Sequence, residues 1–245
     1  MVDVFTIPIS KVQFDTLPKD ERATIFVAGH VLNQISVFMK LVHLSSSHDP
    51  ANPVEEKASG MQTQIILRSL MGALAEATVW FGKRQKLIEL YLPDMHQEGR
   101  DAYDKVKAHF PKNSFMRWLR NNFLYHYPNE ENADIAFKAI PETEPWEWYL
   151  SQTNTNSIYF SSELVLGYGL MTATGEPTPH GAFGVVMART MELANTMPDF
   201  LMRLIETILT KKLGPDILKP RAKTVITETA RFGEFWLPFY VAQEK

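Results

Sequence analysis

The chain has no cysteine, which removes thiol nucleophiles, thiolate metal sites and disulfides together. It has no strong charge imbalance either. Twenty-five lysines and arginines stand against 28 aspartates and glutamates, a formal net charge of −3, so no global basic surface can hold nucleic acid by phosphate neutralisation alone. Glycine-rich phosphate loops are missing: the GYG at 167–169 and TGEPTPHG at 174–181 lack the strand, spacing and lysine such loops use, and Gly-x-Ser-x-Gly is absent. The longest apolar stretch, 65–81, carries Arg68 and Glu76 and is too short for an uninterrupted bilayer span. Residues 1–10 have neither the basic flank nor the apolar core of a signal peptide. These readings predict a soluble cytoplasmic protein with no membrane contact.

What is there is ordinary globular material: 245 residues, 45% hydrophobic and 22% charged, with eleven methionines to fill core gaps. Behind Pro18, apolar residues recur at steps of three and four (Ile25, Ala28, Val31, Leu32, Ile35, Phe38, Met39, Val42), predicting an amphipathic helix over 19–44. A proline- and serine-rich loop at 47–53 follows, then a second helical run over 53–92 carrying Ile65, Leu70, Ala73, Leu74, Ala77 and Trp80. Two such helices pack antiparallel. A third helix is expected over 99–109, and a fourth capped by Asn113 or Ser114 and stopped by Pro128. The tryptophans of PETEPWEWYL (141–150) read as packed on the core. SIYFSS (157–162) alternates like a strand, yet Ser161 or Ser162 also suits a helix start. A long helix, or two joined near Pro198, runs from 182 to a glycine cap at Gly214. The expected fold is all-α, a helical bundle with two long antiparallel helices and a short β element in the C-terminal half. It forms a single domain over 1–245, with a bundle at about 18–140 and a helical extension at about 141–245.

The chemically suggestive stretch is FMRWLRNNFLYHYPN, 115–129. Histidine titrates near neutrality and can take the proton of a ribose 2′-hydroxyl or give one to a leaving 5′-oxygen. Arginine stays charged and offers a planar fork to phosphoryl oxygens. Arg120 and His126 therefore make a sufficient pair for cleaving a phosphodiester without a metal. Six residues along one straight helix leave them about 120° apart in projection and roughly 9 Å along the axis, so convergence needs a helix break or a second copy across a two-fold axis. With ten arginines and seven histidines, Arg and His at such a separation arise by chance roughly once. The apolar flanks and the position behind two long helices lift this instance above its spacing.

RNNFLYH resembles the R-x4-6-H signature of the HEPN superfamily, in which the residue after arginine is commonly polar, as Asn121 is here. The resemblance implies a bundle built on two long antiparallel helices, a homodimer across the motif, and a metal-independent endoribonuclease of toxin–antitoxin or phage-defence type with no cofactor. It also implies an RNA substrate and an antitoxin or other protein partner. Carried over, Arg120 and His126 are catalytic and Asn121 supports them. Some members are non-catalytic interaction or scaffold proteins, which is the alternative reading. In members modified by a nucleotidyltransferase antitoxin a tyrosine stands two residues after the histidine, where this chain has Pro128.

Asn122, Tyr125 and Tyr127 are candidate substrate contacts, the tyrosines by stacking on bases, with polar surface and packing as the plain alternatives. Glu76, alone on an apolar face, is a candidate to pair with Arg120 or orient His126, or else is simply exposed. His43 and His48 lack a carboxylate companion, so no metal site is expected.

Overall fold

The computed structural model describes residues 1–46, 49–112, 114–124, 130–227 and 234–241. The fold is mostly helical, 69% of the chain, with one two-stranded sheet among the described residues.

After a short α1 (Lys11–Asp15), α2 runs Lys19–Ser46, with Pro18 just ahead of it and Asp20 and Glu21 facing the positive end of its dipole. The next helix, α3 (Pro53–Gly82), starts by local chemistry. Asn52 caps it by accepting from the backbone N–H groups of Val54 and Glu55 at 3.1 and 3.0 Å, and proline fills the first helical position. α2 and α3 are neighbours along their length, with Ile35, Leu70 and Leu74 buried and Phe38 half-buried, as the stripes predict.

The run expected to reach Leu92 stops at Gly82. A side chain there would lie 3.3 Å from Phe110, and the chain turns through Lys83 and Arg84 into α4 (Gln85–Glu89) and a 3-10 turn at Leu92–Asp94. Ile88, Tyr91 and Met95 stay buried across this break, so the apolar rhythm persisted where the helix did not. α5 (Gln97–Lys107) follows. Gly99 lets it close on a later helix, since a Cβ there would sit 2.6 Å from the Cβ of Arg203.

α6 (Phe115–Leu119) passes into a π-helical turn at Arg120–Leu124. α7 (Glu130–Lys138), which the apolar pattern did not announce, comes next. α8 spans Phe160–Thr174 and ends on Gly175, whose φ of 75° is the left-handed cap conformation that glycine adopts without cost. α8 thus begins ahead of Ser161 and Ser162, and the alternating 157–162 segment contributes only a single bridge between Tyr149 and Ile158. α9 (Pro179–Leu213) passes through Pro198 as one helix.

The core gathers around α9. Phe200 is fully buried, with Phe81 edge-on at 6.0 Å and Tyr103 at 5.3 Å between centroids, and Met197, Leu201, Leu204 and Ile208 extend the same face. α2, α3, α5 and α6 all feed this one cluster, so residues 141–245 supply its central helix.

The β element differs from expectation in its partner: β2 (Ala222–Ile226) pairs antiparallel with β1 (Val2–Thr6), Val2 opposite Ile226. Both strands are exposed throughout, so no inward apolar face marked β1 in the sequence. The tryptophans at 146 and 148 are also corrected: they are 49% and 59% exposed, because it is Glu147 and Tyr149 beside them that turn to Lys57 of α3. By length and composition alone α2 and α3 are each apolar enough to cross a membrane, which the 65–81 stretch taken by itself did not suggest.

Candidate functional site

α6 is anchored by Met116 and Leu119, both fully buried, and by Arg189 of α9, whose guanidinium lies 4.3 Å from the centre of the Phe115 ring. Each buried anchor is followed directly by an arginine, Arg117 and Arg120, one turn apart and so neighbours on the helix surface.

At Arg120 the hydrogen bonding changes from α to π, the kind of interruption that concentrates at functional sites. The straight helix on which the six-residue separation was judged therefore ends at the arginine itself. Its Nε donates to Oε1 of Glu76 in a close ion pair, and its Nη1 donates to Oδ1 of Asn121 at 3.0 Å. Nη2 has no acceptor among the described residues.

Glu76 lies between the buried Ala75 and Ala77 of α3. Its side chain remains 48% exposed and that of Arg120 29%. A carboxylate on an otherwise apolar helix face, noticed in the sequence, thus has its partner in Arg120.

Asn121 is exposed and braces the guanidinium. Asn122 is half-buried: its Nδ2 donates to the carbonyl of Trp118 at 2.8 Å, and its Oδ1 accepts from Nδ2 of Asn132 in α7 at 3.4 Å. The structure gives Asn122 a fastening role, tying the π turn to the next helix. His126, Tyr125, Tyr127 and Pro128 lie outside the described residues, as do Asn113 and His48.

Arg117 was not singled out from the sequence, whereas Ser114 was, as a helix cap. Arg117 Nε and the Oγ of Ser114 are buried without a hydrogen-bond partner among the described residues, although Ser114 occupies the cap position. An unanswered guanidinium N–H is costly, and an anionic acceptor would answer it. The i, i+3 spacing of Arg117 with Arg120 was the available signal.

Among the described residues no group of three histidines or carboxylates is placed to hold a metal ion. The apolar cavity of about 20 Å³ between α3, α8 and α9, lined by Leu67, Met71, Leu170 and Phe183, is far below the few hundred Å³ that a cofactor needs. His109 is half-buried, and burial holds its pKa below the ordinary value, against the charge of Glu192 and with a smaller push from Arg189.

No family model, curated protein or solved structure matches the chain.

Proposed function

We propose that the chain is a metal-independent endoribonuclease of the HEPN type, acting on single-stranded RNA as a homodimer. The observation that carries the reading is the Arg120 guanidinium, fixed on two sides by Glu76 and Asn121, with Nη2 lacking an acceptor among the described residues. A long flexible side chain held in this way has already lost the rotamer freedom that binding would otherwise cost.

In the proposed reaction His126 removes the proton of the ribose 2′-hydroxyl. The freed oxygen attacks the adjacent phosphorus, the bond to the 5′-oxygen breaks, and that oxygen leaves with a proton given by the imidazolium. The products are a 2′,3′-cyclic phosphate and a 5′-hydroxyl. Arg120 stabilises the charge that builds on the non-bridging oxygens, and Arg117 offers a second cation for a neighbouring phosphate. A second copy across a two-fold axis brings a further Arg120 and His126 to the same cleft, in the toxin or phage-defence setting that the resemblance implies.

The test is His126→Ala on short mixed-sequence RNA in EDTA, with the new ends typed. The expected result is a rate lower by about 10²–10⁴, wild-type fragments that end in cyclic phosphate, and unchanged thermal unfolding. Equal cleavage by the variant overturns the assignment. An inert wild type moves the chain to the non-catalytic scaffold reading.

A further inference from the structure

Beyond the π turn the surface changes character. Residues 130–147 carry six carboxylates, Glu130, Glu131, Asp134, Glu142, Glu144 and Glu147, against one lysine, Lys138. Lys138 pairs with Asp134, and Glu147 is taken by Lys57. Glu142 and Glu144 form no ion pair among the described residues, though Glu144 accepts a hydrogen bond from the Tyr168 hydroxyl at 3.5 Å, and both line a cleft of about 650 Å³ together with Phe137, Trp146 and the Asp134-paired Lys138.

These two rings meet edge-on at 5.6 Å while remaining 54% and 49% exposed. A second pair of the same kind, Trp148 with Tyr159 at 5.6 Å, is 59% and 55% exposed, and Leu150 nearby is 69% exposed. So many large apolar side chains in water along one short segment mark an interaction surface. Its charge decides the occupant. Single-stranded RNA would gain stacking on the rings but would bring its phosphates against carboxylates. A cationic side chain gains on both counts, over the face of an aromatic ring and beside a carboxylate.

We infer that the cleft between α7 and the 141–150 segment docks an arginine- or lysine-rich segment of a partner protein, with its cations over Trp146 and Phe137 and against Glu142 and Glu144. A hydrogen bond from Asn132 to Asn122 ties α7, one wall of this cleft, to the π turn. The inference does not depend on ribonuclease activity.

The test titrates the full chain with a ten-residue arginine peptide by tryptophan fluorescence, at low and physiological salt. Two variants separate the two contributions: Trp146→Ala keeps every charge, and Glu142→Gln with Glu144→Gln keeps every ring. The expected result is saturable binding, weakened at least tenfold by each variant, with the far-ultraviolet spectra unchanged. Equal binding by Trp146→Ala overturns the proposal, because bulk charge attraction alone would then account for it. Absence of binding overturns it as well. So does a ten-residue oligouridine that binds wild type and loses to Trp146→Ala, or a self-association in sedimentation that Trp146→Ala abolishes, since each assigns the cleft another occupant.

Discussion

Glu21 and Glu76 are both glutamates on a long helix, each paired with a cation from a distant element, yet they differ in what they leave open. Glu21 is 7% exposed, accepts a hydrogen bond from the Tyr91 hydroxyl at 2.5 Å and pairs with Lys212 at 3.0 Å. Tyr91 is itself only 3% exposed, so this cluster closes the foot of α2 against the end of α9. Glu76 holds Arg120 at the surface, with half its own side chain and part of the guanidinium still facing solvent. The buried contact of Glu21 with Tyr91 stabilises the fold, because the Tyr91 hydroxyl would be stranded without its acceptor; Lys212, at the edge, stays 36% exposed, and Glu21 Oε2 is buried with no hydrogen-bond partner among the described residues. An open pair contributes little to stability, because water replaces either partner cheaply.

The largest expected effect breaks the open pair. Arg120→Ala should lower RNA cleavage by about 10²–10³, the usual cost of one lost donor to developing charge, while the midpoint of thermal unfolding stays near wild type. Initial rates with labelled RNA and a melting curve check both halves.

Next is the closed cluster. Glu21→Ala leaves the buried Tyr91 hydroxyl unanswered, while Lys212, 36% exposed, turns to water, and should cost about 1–3 kcal/mol of stability for a buried hydroxyl without its acceptor. Urea denaturation with an unchanged slope would measure it.

The smallest effect concerns pH. Burial, then the hydrogen bond and charge of Glu21, push the Tyr91 pKa well above its ordinary value of 10.0. The unfolded chain therefore releases this proton first, so stability is intact below pH 10 and declines as pH rises beyond it. Tyr91→Phe should flatten that decline, as read from unfolding midpoints between pH 8 and 11.

The same two glutamates show how far the sequence could be read. Glu76 stood out because its neighbours on α3 are apolar, and pairing with Arg120 was one of the readings that anomaly allowed. Glu21 looked like an ordinary first-turn acid suited to a helix dipole, and nothing local announced Tyr91, seventy residues away. α2, α3 and α9 were legible because long stripes overdetermine a helix, and the pairing of α2 with α3 followed from them. The break at Gly82 was not, because Ile88, Tyr91 and Met95 keep a helical rhythm across it. β1 escaped because it buries neither face, and the exposure of Trp146 and Trp148 because aromatic composition does not say which side of a bundle a segment lies on. At the site, Arg120 with Asn121 was legible and Glu76 was a candidate partner, His126 lies outside the described residues, and the Arg117 Nε, buried without a partner among the described residues, needed coordinates to be seen.

The comparison is tested most directly by the cleavage rate per folded molecule of Glu76→Ala set beside that of Glu21→Ala, under conditions where both remain native. Glu76→Ala frees the Arg120 side chain and should cut at least tenfold more slowly than wild type, whereas Glu21→Ala should match wild type. Rates that fall equally in both variants, or that change in neither, would contradict the assignment of Glu76 and Arg120 as the working pair.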